Sequence, residues 1–163
     1  MTKKHLSLFV LALIACQLTA FAQNIRVSTS KTDLVFRVAN DGRLHQAYFG
    51  ERLGSEADIA HLTTGPEAYI NHGMEDYFEP ALEIRQPDGH ASVLLKYQSH
   101  DVNTLADGIT ETVITLADEV YPITVKLHFT AYERYNVIRD YTGMGVQFLK
   151  HITLDKKTYG YDE

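Results

Sequence analysis

The sequence predicts an all-β protein, an antiparallel β-sandwich. Three observations carry this. Apolar residues recur with a period of two, turn-forming residues stand between the apolar runs, and no stretch has the pattern of a long amphipathic helix. The alternation is clearest in Thr124–Tyr132, where Val125, Leu127, Phe129 and Ala131 share one face and Thr124, Lys126, His128, Thr130 and Tyr132 share the other. Successive side chains on a strand point to opposite faces, so this run is a strand with one buried side.

Taken in chain order, Asp33–Val38 places Leu34, Phe36 and Val38 on one face, and Leu44–Phe49 follows after Asn40-Asp41-Gly42. A glycine there supplies the positive φ that tight hairpins need. Ala81–Arg85 and Val93–Tyr97 are shorter strand candidates, separated by Pro87-Asp88-Gly89. Asp107-Gly108 introduces Ile109–Leu116, rich in the Thr, Val and Ile that suit a pleated surface. Asn136–Tyr141 is the last candidate. Ala57–Leu62 reads as one helical turn or a short loop.

Residues 1–22 are set apart from the fold. Lys3 and Lys4 form a positive start, Leu6 to Ala15 an apolar stretch, and Ala20-Phe21-Ala22 a small-x-small site followed by Gln23. This is the pattern of a signal peptide, which predicts export (periplasmic or secreted) after cleavage near Ala22. The apolar run is short for ~30 Å of hydrocarbon, so no membrane span is expected. A rival pattern stays open: Leu13-Ile14-Ala15-Cys16 resembles a bacterial lipobox, which would anchor the chain by lipid at Cys16. Cys16 is the one cysteine, so residues 23–163 contain none to form a disulfide.

The formal net charge of -6, with no cluster of Lys or Arg, argues against nucleic acid and against anionic lipid as partners. Metal chemistry is not indicated. His45, His61, His72, His90, His100, His128 and His151 are scattered, with no His-Glu-x-x-His spacing. The nucleophile elbow, P-loop and dinucleotide fingerprint are absent, so neither a cofactor nor a catalytic residue is assigned. Residues 50–80 differ from the rest: they show little alternation and are interrupted by Gly65-Pro66. A long irregular stretch inside a compact domain is often functional. This one carries Tyr69, Asn71, His72, Glu75, Asp76, Tyr77, Phe78 and Glu79, a polar and aromatic mixture suited to sugars. Neighbouring carboxylates such as Glu75 and Asp76 do not by themselves place an acid and a nucleophile across a glycosidic bond, so they read as a solvated acidic loop.

One such stretch carries a resemblance. Met74-Glu75-Asp76-Tyr77-Phe78-Glu79-Pro80-Ala81-Leu82-Glu83-Ile84 resembles a segment in the N-terminal domain of family 36 α-galactosidases. Leu95-Lys96-Tyr97-Gln98-Ser99-His100, then Glu111 to Asp118, Val125 to Glu133 and Val137-Ile138-Arg139-Asp140 are similar to later parts of that domain, in the same order. The resemblance covers about residues 24 to 142 and implies a large, supersandwich-like β-domain preceding a TIM barrel. The family removes terminal α-galactosyl units with two aspartates that both sit in the barrel, so the resemblance assigns no catalytic residue here. Asp76 matches an aspartate that in some relatives reaches the barrel mouth and touches the sugar.

The domain reading is therefore a signal peptide at 1–22, a family 36 N-terminal-like sandwich at 23–142 and a divergent tail at 143–163. Gly143-Met144-Gly145 is expected to interrupt the last strand, because glycines weaken pairing. The expectation at this end is a truncated or frame-disrupted gene, with a sandwich incomplete at its C-terminus and exposed strand edges. Three functions stay open. The first is an accessory domain of an α-galactosidase, inactive alone, whose partners are a family 36 TIM-barrel domain and, through it, an α-galactosyl oligosaccharide. The second is a free-standing carbohydrate-binding module stacking sugars on Tyr69, Tyr77 and Phe78. The third is a structural or homo-oligomer-forming sandwich.

Overall fold

The structure, a computed structural model, describes residues 23–72, 80–86 and 88–146, with side chains through residue 143. Strands β1 (Asn24–Ser28), β2 (Thr32–Val38) and β3 (Leu44–Glu51) form one antiparallel sheet in the order β1-β2-β3. Strands β4 (Leu95–Ala106), β5 (Ile109–Asp118), β6 (Ile123–Tyr132) and β7 (Val137–Val146) form a second, in the order β4-β5-β6-β7. A short helix, α1 (Glu56–Ala60), follows β3, and a 3-10 turn at Glu133–Tyr135 joins β6 to β7. No helix among the described residues is long and apolar enough to cross a membrane.

The two sheets face each other across one core, as the alternation predicts. Ile25, Val27, Leu34, Phe36 and Leu44 from the first sheet belong to one buried cluster with Ile114, Leu116, Val125, Leu127 and Phe129 from the second. Phe36 and Phe129 meet across the interface with ring centroids 4.7 Å apart. Each fully buried aliphatic or aromatic side chain contributes ~1.5–3 kcal/mol, so this interface is the main source of stability. Gly42, Gly89 and Gly108 take φ of 84°, 89° and 66°, in the three turns read from the sequence.

Other details depart from the sequence reading. In β2 both faces are covered: Asp33 and Val35, opposite in direction to Leu34 and Phe36, are also fully buried. The reason is α1, which lies over the outer face of the first sheet. Arg37 donates to the carbonyls of Ile59 and Leu62, and Arg26 to the carbonyl of Leu53 and the carboxylate of Glu56. Ser55 caps α1 with a reciprocal capping box to Asp58, a pattern present in the sequence but short of a hydrophobic period.

Ala81–Arg85 forms no strand; Leu82 makes a single parallel bridge to Asn71. Pro80 and Pro87 bound this segment and supply no N–H donors for a ladder. The strand candidate at Val93–Tyr97 begins at Leu95 and runs on to Ala106, far past its apolar residues, because β5 pairs with it along that length. Gly143-Met144-Gly145 does not interrupt β7. Gly143 pairs with Lys126 and Gly145 with Thr124 in unbroken register, so backbone pairing to β6 outweighs the glycines' weak strand preference.

Candidate functional site

The stretch between β3 and β4 begins as a strap along the edge of β3. Gln46 N–H donates to Pro66 O at 2.9 Å, Ala68 N–H to Leu44 O at 2.8 Å, and His45 Nδ1 to Gly65 O at 3.0 Å. Gly65 passes so near β3 that an added Cβ would stand 2.0 Å from the carbonyl oxygen of Gln46. The chain then meets itself: Ala81 N–H donates to Ile70 O at 2.7 Å and His72 N–H to Leu82 O at 2.9 Å. These two bonds fix both flanks of residues 73–79. Asp76, Tyr77 and Phe78 fall in that interval and lie outside the described residues.

The described residues on either side of this interval are tied to the rest of the fold. Asn71, 1% exposed, donates its amide N–H to Val93 O. Tyr121 donates its hydroxyl to Asp88 at 2.8 Å, and Asp118 accepts the backbone N–H groups of Leu94, Val120 and Tyr121. The His90 N–H and then the Tyr121 hydroxyl hold the Asp88 carboxyl below its usual pKa. Among the described residues, Asn71 Oδ1 and both amide atoms of Gln86 are buried without a partner.

Tyr69, on the strap, lines a cleft of about 290 Å³ that opens between β3 and β7. Burial raises its phenol pKa, and its hydroxyl makes a long contact of 3.5 Å to Ala81 O. The cleft floor is Leu34, Phe36, Leu127 and Phe129; its mouth carries Phe49, Ile138 and Asp140. Phe49 points to the core side, opposite Leu34, yet is 64% exposed. Asp140 is the one carboxylate in this lining. Hydrolysis of a glycoside requires two, so the cleft does not assemble that chemistry among the described residues. Those residues also hold no cluster of three or more His, Cys, Asp or Glu arranged for a metal.

The family model for the glycosyl hydrolase family 36 N-terminal domain matches residues 42–158. The chain belongs to this family. No curated protein matches the sequence. Among solved structures, the family 36 domain is similar to the α-galactosidase from Lactobacillus brevis (17% identity, TM-score 0.64, covering 76% of this chain and 21% of that one). It is also similar to α-galactosidase AgaB from Geobacillus stearothermophilus (21% identity, TM-score 0.64, 77% and 21%). A variant of AgaA from the same organism, solved with raffinose, gives 19% identity and a TM-score of 0.63, covering 76% and 22%. At such identities the likeness establishes the fold. The chain spans about a fifth of the length of these solved structures, 21–22%.

Of the sugar-contact candidates Tyr69, Asp76, Tyr77 and Phe78 in this family 36 domain, only Tyr69 lies in the described part, and it lines the cleft. Sequence reasoning missed Phe49, Ile138 and Asp140 as cleft residues. Phe49 and Ile138 read as ordinary strand residues, since alternation gives the facing of a side chain and not whether the opposite sheet reaches far enough to cover it.

Proposed function

We propose that this chain serves as the non-catalytic N-terminal sandwich of an α-galactosidase-type glycoside hydrolase, packing beside a TIM barrel and helping to shape its sugar pocket. The family match over residues 42–158 carries this reading. The solved relatives support it, being α-galactosidases, one of them solved with raffinose. On this reading Asp76, which matches the aspartate that touches the sugar in some relatives, serves at the barrel mouth. There a carboxylate accepts hydrogen bonds from sugar hydroxyls. Tyr77 and Phe78 flank it. Residues 1–22 direct export, with cleavage near Ala22.

The kinetic test uses a full-length family 36 relative in which the aspartate matching Asp76 is changed to alanine. A lost charged hydrogen bond predicts kcat/KM lower by about tenfold or more, and unchanged kinetics would retire the role of Asp76. Titration of this chain with galactose, melibiose and raffinose by calorimetry separates the accessory role from free-standing sugar binding. The accessory reading predicts no heat of binding without a barrel.

A further inference from the structure

We infer that residues 147–158 of this chain turn back at the end of β7 and close the cleft between β3 and β7, with Ile152 and Leu154 set over its apolar floor. The cleft needs a cover of that kind. Its floor is Leu34, Phe36, Leu127 and Phe129, and its volume is about 290 Å³. Phe49 stands at its mouth on the core side of β3 and is 64% exposed. Contiguous apolar surface left open on a folded domain marks a place of contact. A sugar fits it poorly, since hydroxyls laid on such a floor would lose water without gaining hydrogen-bond partners.

The place where the chain leaves β7 points to this occupant. Strand β7 walls the cleft through Ile138, Asp140, Tyr141 and Thr142, and its pairing with β6 runs on to Val146 opposite Ile123. Thr142 and Ile138 lie four and eight residues back from Val146. At ~3.3 Å per residue the cleft therefore spans about 13 to 26 Å from the end of the strand. A turn of about two to five residues reverses a strand, so a chain returning along β7 brings residues 152–156 beside the cleft. The other end of the sandwich chain enters elsewhere: Gln23 O accepts from the Val38 N–H, and β1 is separated from β3 by β2. The family match extends to residue 158, so the family domain includes this segment. Its sequence also suits the cleft. Alternate residues of an extended chain share a face, which sets Ile152, Leu154 and Lys156 on one side and His151, Thr153 and Asp155 on the other. The two apolar side chains cover the floor, and Lys156 follows them toward Asp140, the one carboxylate in the lining. Residues 147–158 carry Lys150, Lys156 and Lys157 against the single acid Asp155, so the segment is basic in a chain whose net charge is -6.

Cross-linking of the full chain tests this. In a Cys16→Ser background, Phe49→Cys together with Leu154→Cys should form a disulfide within one chain on mild oxidation. It should do so at least about tenfold faster than Val102→Cys together with Leu154→Cys, because Val102 lies on β4, at the opposite edge of the second sheet from β7. A second measurement uses charge. Leu154→Asp should lower the urea midpoint and raise the fluorescence of a dye that binds apolar surface, and Thr153→Asp should do neither. If Leu154→Asp fails to fold, the cross-linking rates decide. The proposal is overturned if the Phe49 and Leu154 cysteines cross-link no faster than the control pair, which leaves the cleft to another partner. It is equally overturned if they join two copies in place of one, or if Leu154→Asp folds and behaves as Thr153→Asp does.

Discussion

Asp33 is a carboxylate with no exposed surface, held near the start of β2, the central strand of the first sheet, by three donors. Arg26 Nη2 donates at 2.6 Å, Ser28 Oγ at 2.7 Å and the Leu53 N–H at 2.7 Å. Burial pushes its pKa up, but the bonds from Arg26, Ser28 and Leu53 outweigh burial and hold it below the ordinary carboxylate range. Removing one partner of such a pair leaves the other uncompensated, so Asp33→Ala should cost ~3 kcal/mol in urea unfolding. The pH sign follows from the lowered folded value. The stabilisation is fully present above the unfolded-chain value of about 4 and drains away as pH falls through the lower folded value. Asp33→Asn should therefore flatten the loss of stability in acid, and an unchanged acid profile would show that Asp33 does not carry it. Asn136 is the second residue of this kind. Its φ of 52° is left-handed, and its side-chain oxygen accepts from the buried Thr29 hydroxyl, tying the β1–β2 turn to the β6–β7 connection. Asn136→Ala loses both features and should cost ~1–2 kcal/mol, whereas Asn136→Gly keeps the backbone freedom and should cost less. Equal losses would mean that the hydrogen bond alone matters.

At the scale of elements, the strap Gly65–Ala68 depends on a backbone approach that only glycine allows. Gly65→Ala sets a Cβ 2.0 Å from Gln46 O, a contact that backbone must move to relieve. The expected outcome is ~2 kcal/mol of destabilisation and faster hydrogen exchange at Gln46 and Ala68, whose N–H groups the strap pairs. Slow exchange at both in the variant would show that the strap is not held this way. The overhanging half of β4 is the opposite case. Val102 is 61% exposed, so Val102→Thr should change stability by less than ~0.5 kcal/mol. These two elements also mark what the sequence hides. Strand β6 was legible because each inward position is apolar and each outward one polar or amphipathic. The distal part of β4 was not, because Asp101–Ala106 is held by pairing to β5 and buries almost nothing. Strand β1 escaped notice because five residues hold only Ile25 and Val27 as signal.

For the whole molecule, the sandwich class and its turns at Gly42, Gly89 and Gly108 followed from alternation and from those glycines, since hydrophobic facing and positive φ are local properties. The outer burial of Asp33 and Val35, the strap and the cleft mouth at Phe49 depend on which distant segment comes to rest on which sheet, and alternation holds no record of that. The family likewise surfaced through scattered short matches, with Asp76 as the one residue that the resemblance marks for sugar contact. On the proposed function all turnover belongs to a barrel and none to these 163 residues. The most direct measurement is an assay of the purified chain on a chromogenic α-galactoside, with the β-sheet signature of the same sample recorded by circular dichroism. The expected result is a folded, β-rich protein with no release of chromophore; turnover that follows the folded chain through purification would contradict the accessory role.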